Sequence, residues 1–283
     1  MKDLRLFIGL IVAVLLNPTT TQGQDTLTYK TTPQGPLDMI VLRPEGKATS
    51  QESLPAVLFF FGGGWKGGQP SHFLPQARYF TKRGLICFLA DYRTESRHQT
   101  SPFESLMDAK SAVRWVRKNG PEMGVDTSKL VVGGGSAGGH LAAAAAVTQG
   151  FDDPQDDLSI SAVGSLLVLF NPVIDNGPGG YGYERIGEVY PRFSPLHNLR
   201  SGTPPTLFLL GTEDHLVPVA TARYYQTVME RTGGYCDLRL YEGGKHGFFN
   251  LPNTYSFRQT VLAMDEFLVK FGYLPPLKEG EGF

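Results

Sequence analysis

Hydrophobic positions along the chain gather into short runs separated by polar or glycine-rich breaks. Leu27 to Lys30 and Leu37 to Leu42 alternate loosely and predict two antiparallel edge strands, followed by a polar loop from Pro44 to Pro55. Ala56 to Phe61 is apolar throughout, the mark of a central strand covered on both faces. It ends in Gly62-Gly63-Gly64-Trp65. Phe73 to Arg83 reads as a helix stopped by Gly84, and Leu85 to Asp91 as a strand. Ser101-Pro102-Phe103-Glu104 opens another helix, with serine as cap and proline at the first helical position. Leu106, Ala109, Ala112, Val113 and Val116 then recur at helical spacing until Gly120-Pro121. Leu130-Val131-Val132 is a short buried strand, and Leu141 to Val147 is alanine-rich helix material. Strands follow at Ser165 to Phe170, Pro205 to Leu210 and Cys236 to Tyr241. Helices follow at Thr221 to Arg231 and Phe257 to Phe271, and Asn171 to Gly202 is irregular and rich in Gly, Pro and Tyr.

Strands alternating with helices predict an α/β fold, with a mostly parallel, doubly wound sheet flanked by helices. In such sheets a site forms beyond the carboxyl ends of the strands. The triple glycine, the segment after Val132, and the loops after Leu210 and Tyr241 all fall there.

Composition narrows the picture little. The 283 residues are 41% hydrophobic and 19% charged, ordinary for a globular protein. The formal net charge of −1 gives no reason to expect nucleic acid or an anionic membrane surface as partner. The first residues change it more. Lys2 and Arg5 precede an apolar run, Leu6 to Leu16, and a polar stretch from Thr19 to Gly23. This is the layout of a secretory signal peptide over residues 1–23, cleaved before Gln24. It predicts a secreted or periplasmic protein with one catalytic domain over residues 24–283 and no stable membrane span after cleavage. The alternative is a retained anchor, although the run is short for a bilayer. Export permits disulfides. Cys87 and Cys236, however, fall on strands toward opposite sides of the sheet, so both are expected to be free, buried thiols.

The chemistry is concentrated at Gly134-Gly135-Ser136-Ala137-Gly138. A serine between a strand end and a helix start occupies a sharp turn that exposes its hydroxyl at a helix N-terminus. Serine is a poor nucleophile without a base, and the base needs a third group to orient it. Among the histidines, His246 sits in a glycine-flanked loop directly after the last strand and is the candidate base. His140, four residues past Ser136, reads as packing; His72, His98, His197 and His215 have no comparable setting. Asp214, after the Pro205 to Leu210 strand, is the candidate acid, with Glu213 as the neighbour to exclude. Gly62-Gly63-Gly64 can expose its amides to an oxyanion, and the Ala137 amide supplies a further donor. No cluster of Cys, His and carboxylates has metal-ligand spacing, and no cofactor is required.

These stretches, with Asp91-Tyr92-Arg93, Val217-Pro218 and His246-Gly247-Phe248, resemble the α/β-hydrolase-fold esterases of the hormone-sensitive-lipase-like group. They are most similar to secreted bacterial esterases that remove acetyl or other short acyl groups from carbohydrates. The resemblance implies Ser136, Asp214 and His246 as catalytic triad, and Gly63, Gly64 and Ala137 as oxyanion hole. It implies a serine esterase acting on short acyl esters or acetylated carbohydrates. One position departs: the family usually has histidine before the three glycines, where this chain has Phe61, which leaves the bracing of that loop open. With little chain before the central strand, no large cap domain is expected. Trp65, Tyr181 and Tyr183 offer flat amphipathic faces for a sugar ring, ordinary loop packing being the alternative. A prolyl-oligopeptidase-type peptidase and a non-catalytic binding module on a hydrolase scaffold are the competing functions.

Overall fold

The computed structural model describes residues 24–45, 53–278, 280 and 282. The signal-peptide expectation over residues 1–23 lies outside them.

Among the described residues one eight-stranded sheet runs in the order β1-β2-β4-β3-β5-β6-β7-β8. The strands are β1 (Gln24–Thr32), β2 (Gly35–Leu42), β3 (Leu54–Phe60), β4 (Ile86–Ala90), β5 (Val125–Gly135), β6 (Leu166–Phe170), β7 (Thr206–Gly211) and β8 (Cys236–Tyr241). β1 pairs antiparallel with β2, and β2 antiparallel with β4; every other pairing is parallel. β2 is therefore inside the sheet, and only β1 is an edge on that side.

The continuous apolar runs are explained by burial on both faces. Along β3, Ala56, Leu58 and Phe60 pack into one core, while Val57 and Phe59 pack into the other. The first core is closed by α2 (Pro102–Asn119), α3 (Ala137–Val147) and α4 (Val219–Arg231), the second by α1 (Leu74–Lys82) and α5 (Thr254–Lys270). α2 begins as its sequence predicts. Ser101 Oγ accepts the Phe103 amide at 3.2 Å, and the Glu104 carboxylate accepts the Ser101 amide at 2.9 Å, a capping box that satisfies orphan donors.

The largest departure from the expected elements is β5. The apolar run supplies three residues, but the strand extends from Val125 through Gly135. Val125 is followed by four polar residues, Asp126 to Lys129, which carry no strand pattern. Gly133 to Gly135 read as a turn, yet they pair with Val168, Leu169 and Phe170 of β6. Glycine is required there: a Cβ on Gly133 would lie 2.6 Å from the Val168 carbonyl oxygen.

Residues 171–202 contain only single-turn helices, at Tyr183–Ile186 and Tyr190–Phe193, with short 3-10 turns. Cys87 on β4 and Cys236 on β8 are both free and buried, with four strands between them in the sheet order. At ~4.8 Å per strand that is about 24 Å. Burial pushes both thiols up to about 12. Among the described residues no helix is long and apolar enough to cross a membrane. No group of His, Cys, Asp and Glu among them could hold a metal ion.

Candidate active site

Five strands deliver the site from their carboxyl ends: β3 the glycine loop, β5 Ser136, β6 Asn171, β7 Asp214 and β8 the His246 loop. Ser136 stands between β5 and α3 with φ 54° and ψ −118°, a conformation that costs a non-glycine residue energy. It persists because its surroundings over-determine it. The Ser136 amide donates to Phe170 O at 2.9 Å, and its carbonyl accepts the amides of His140 (3.0 Å) and Val173 (3.2 Å). The turn also demands small neighbours. A Cβ on Gly134 would lie 2.5 Å from Phe60 O, and one on Gly138 would lie 2.1 Å from the same oxygen.

The strain aims the hydroxyl at His246, whose Nε2 lies 2.8 Å from Ser136 Oγ. On the far side of the ring, His246 Nδ1 lies 2.8 Å from Asp214 Oδ2. Asp214 Oδ1 accepts the amides of Leu216 (2.8 Å) and Val217 (3.0 Å). Burial by itself would raise the Asp214 carboxyl. The bond from His246, its charge and the two amides outweigh that and hold it below the usual carboxylate range. An ionised carboxylate can only accept, so Nδ1 carries the imidazole proton and Nε2 presents its lone pair to the serine. Glu213, one residue earlier, is exposed, and its amide is tied to Gly244 O.

The glycine loop lies directly over this elbow: a Cβ on Gly62 would meet Gly135 O at 3.0 Å and Ser136 Cβ at 3.3 Å. Gly63 and Gly64 have φ +132° and +63°. Their amides find no acceptor among the described residues. Ala137 opens α3, so its amide has no intrahelical partner either. Phe61, where the loop begins, stacks on Tyr92 with centroids 4.1 Å apart. The Tyr92 hydroxyl donates to Phe61 O at 2.8 Å, anchoring the backbone that the sequence left without a brace.

The three aromatic candidates for a sugar platform separate. Tyr181 lines the cleft over Ser136, a space of about 350 Å³, together with Leu216 and Asn250. Trp65 does not reach it. The ring is 1% exposed, wedged between His140, Tyr181 and Phe193, and cannot present a face to substrate. Tyr183 lies outside the cleft too: its hydroxyl donates to Glu188 and its ring meets Tyr190 edge-on. The expectation for Trp65 and Tyr183 is thus corrected: Trp65 is enclosed by residues of other segments, and Tyr183, though partly exposed, stands away from the cleft over Ser136. His140 is fully buried, as its helical position suggested.

Two residues are brought into the site that the motifs did not flag. Asn171 is fully buried with φ 35°; its Oδ1 accepts the Gly247 amide at 3.0 Å, and its Nδ2 lies 3.4 Å from His246 Nε2. Its place just after a strand end beside the elbow was the available signal. Arg185 donates from Nη1 to Gly64 O at 2.6 Å. Nothing in the sequence pairs residues so far apart.

The geometry has relatives. The family described as BD-FAE matches residues 42–176. The chain is similar to Thermogutta terrifontis esterase 2, solved phosphoramylated by tabun. The two are 39% identical, the match covers 90% of this chain and 97% of that one, and the TM-score is 0.85. The same esterase with propionate bound matches with 38% identity, a TM-score of 0.84 and the same coverage. Among curated proteins, Esterase LipC of Mycobacterium tuberculosis is 28% identical over 69% of this chain and 53% of its own length. An acetylxylan esterase of Xylanibacter ruminicola is 26% identical over 84% of this chain and 49% of its own. The chain spans about half the length of the curated relatives it matches. By fold, elbow and relatives, the chain belongs to the α/β-hydrolase esterases of the hormone-sensitive-lipase-like group, a family of carboxylic ester hydrolases.

Proposed function

We propose that the protein hydrolyses short-chain carboxylic esters, acetyl esters of carbohydrates in particular, through a covalent acyl-enzyme. The observation that carries this is the hydrogen-bonded line from Ser136 Oγ through His246 to Asp214, with 2.8 Å at each link. Ser136 attacks the ester carbonyl while His246 Nε2 takes the hydroxyl proton. Asp214 holds the imidazole tautomer and faces the imidazolium charge that forms. The carbonyl oxygen, now an oxyanion, is received by the amides of Gly63, Gly64 and Ala137. His246 returns the proton to the departing alcohol. Water activated by the same imidazole then releases the acid and restores Ser136.

A short acyl group is favoured by the cleft itself. Beside Gly135 the space is closed by Phe249, whose ring stacks on that of Phe73 (5.7 Å) and lies tilted against that of Phe170 (4.9 Å). The related esterase binds propionate and butyrate. A polar alcohol is favoured by what lies alongside. Tyr181 and Leu216 also line a neighbouring cleft of about 290 Å³ whose walls include Asp175, His215 and Thr221, groups suited to hydroxyls. One relative is named an acetylxylan esterase. A peptidase of the prolyl-oligopeptidase type is disfavoured because no relative reported above is a peptidase, and a binding module because nothing in the Ser136–His246–Asp214 line is missing.

The test is acetate release from acetylated xylan, pectin and simple sugar acetates, beside cleavage of an aminoacyl anilide. Acetate release with no anilide cleavage supports the reading; the reverse overturns it. The secreted location rests on residues 1–23 as a signal peptide. N-terminal sequencing of protein recovered from the periplasm or medium, beginning at Gln24, would support that.

A further inference from the structure

An oxyanion hole lowers a barrier only if its donors are already aimed when charge develops. Here two of the donors sit on glycines, which enter unusual conformations at little cost and leave them as easily. The loop must therefore be held from outside. At its entry, Phe61 O is held by the Tyr92 hydroxyl. In its middle, Gly63 O accepts the amides of Lys66 (3.0 Å) and Gly67 (3.3 Å). At its exit, the Gly64 carbonyl oxygen accepts Arg185 Nη1 at 2.6 Å, a charge-assisted bond from a residue 121 positions away.

The exit is where restraint is most needed. The Gly64–Trp65 peptide lies between two left-handed residues, Gly64 at φ +63° and Trp65 at φ +58°. Trp65 reaches that region against its steric preference. Arg185 is itself well held. Its guanidinium carbon sits 5.2 Å from the centre of the Trp65 ring and 5.7 Å from that of Tyr181, and Nε lies 3.3 Å from the Glu184 carboxylate. A planar guanidinium can stack on a ring and donate in its own plane at once, which an ammonium cannot do as well.

We infer that Arg185 is the positioning residue of the oxyanion loop: by gripping the Gly64 carbonyl oxygen from above the Trp65 ring, it fixes the Gly64–Trp65 peptide, which directly follows the two peptides carrying the Gly63 and Gly64 amides, and so limits how those amides can turn. This rests on the reading that those amides receive the ester oxygen. It gives the irregular stretch of residues 171–202 a task beyond lining the cleft, since Arg185 and Tyr181 both belong to it.

The experiment compares Arg185→Met, which keeps the stem and loses the donors, with Arg185→Lys, which keeps a charged donor. Steady-state hydrolysis of p-nitrophenyl acetate, the rate of inactivation by paraoxon and the urea unfolding midpoint are measured for each. Arg185→Met should lose about ten- to a hundredfold in kcat, the scale of a displaced catalytic geometry, with KM shifted far less. Paraoxon inactivation should slow in parallel, because its phosphoryl oxygen must enter the same hole. Arg185→Lys should recover part of both losses. Wild-type kcat in Arg185→Met overturns the inference. So does a loss that follows the unfolding midpoint and is not recovered by lysine. Ser136→Ala is run alongside. Turnover surviving in it overturns the esterase reading and this inference together. An inactive Ser136→Ala beside a fully active Arg185→Met overturns this inference alone.

Discussion

His140 lies on the first turn of α3 and is fully buried. Its ring meets Trp65 edge-on at 5.0 Å and lies over Phe193 at 4.4 Å. Neither ring nitrogen has a well-formed hydrogen bond among the described residues. Burial therefore pushes the imidazole down to about 3, and the nearby Phe193 backbone and Asn176 side chain raise it only weakly. In the unfolded chain the same group titrates near ~6.5. Between these two values the unfolded state takes up a proton that the folded state refuses, so stability falls as pH falls. The linkage gives about 2 kcal/mol lost between pH 7.5 and pH 5, growing to about 4 kcal/mol at pH 3. His140→Leu, close in volume and apolar, removes the titration and suits the aromatic surroundings. The assay is urea unfolding of both proteins at pH 7.5 and pH 5. The wild type should lose about 2 kcal/mol more than the variant over that interval. Equal losses would mean His140 accepts a proton in the folded protein and would refute the reasoning.

Three further outcomes are expected. Asp214→Asn should lower kcat by about ten-thousandfold by supplying the wrong partner for the His246 tautomer, while Glu213→Gln, at an exposed position, should stay within about threefold of wild type; kinetics on p-nitrophenyl acetate decides, and the reverse ranking moves the acid to Glu213. Gly64→Ala places a Cβ 2.4 Å from the Tyr181 hydroxyl at φ +63° and should cost at least about tenfold in kcat, part of which Tyr181→Phe in the same chain restores by removing the clashing oxygen; wild-type kcat in Gly64→Ala would show that this loop does not aim the donors. In a p-nitrophenyl ester series from acetate to palmitate, kcat/KM should peak at acetate or propionate and fall steeply beyond butyrate, because Phe249 and Phe73 close the space beside Gly135; a maximum at octanoate or longer would favour a lipid substrate.

The fold was legible where local and global signals agree. The run at Ala56 to Phe61 announced a doubly covered strand, Ser165 to Phe170 announced a strand, and Ser101 to Glu104 announced its helix, because burial and capping each leave a local pattern. β5 was legible only at its centre. The pairing of Gly133 to Gly135 is dictated by how closely β6 approaches, which the residues themselves do not record. The same division runs through the site. Ser136, Asp214 and His246 each carry their own turn chemistry at a strand end, so sequence reading could nominate them together. Asn171 and Arg185 have no such local mark, since their partners, the Gly247 amide and the Gly64 carbonyl, are backbone groups far along the chain. Trp65 misled for a related reason. An aromatic beside a glycine loop looks available until His140 and Phe193, from two other segments, are seen to enclose it.

The central claim is that Ser136 is the atom that attacks. It is tested most directly by treating the protein with paraoxon, digesting it and locating the phosphoryl adduct by mass spectrometry while activity is followed. The account predicts one adduct, on the peptide containing Ser136, formed in step with loss of esterase activity and absent in Ser136→Ala. An adduct on another residue that tracks the loss, or esterase activity that persists with Ser136 fully labelled, would contradict it.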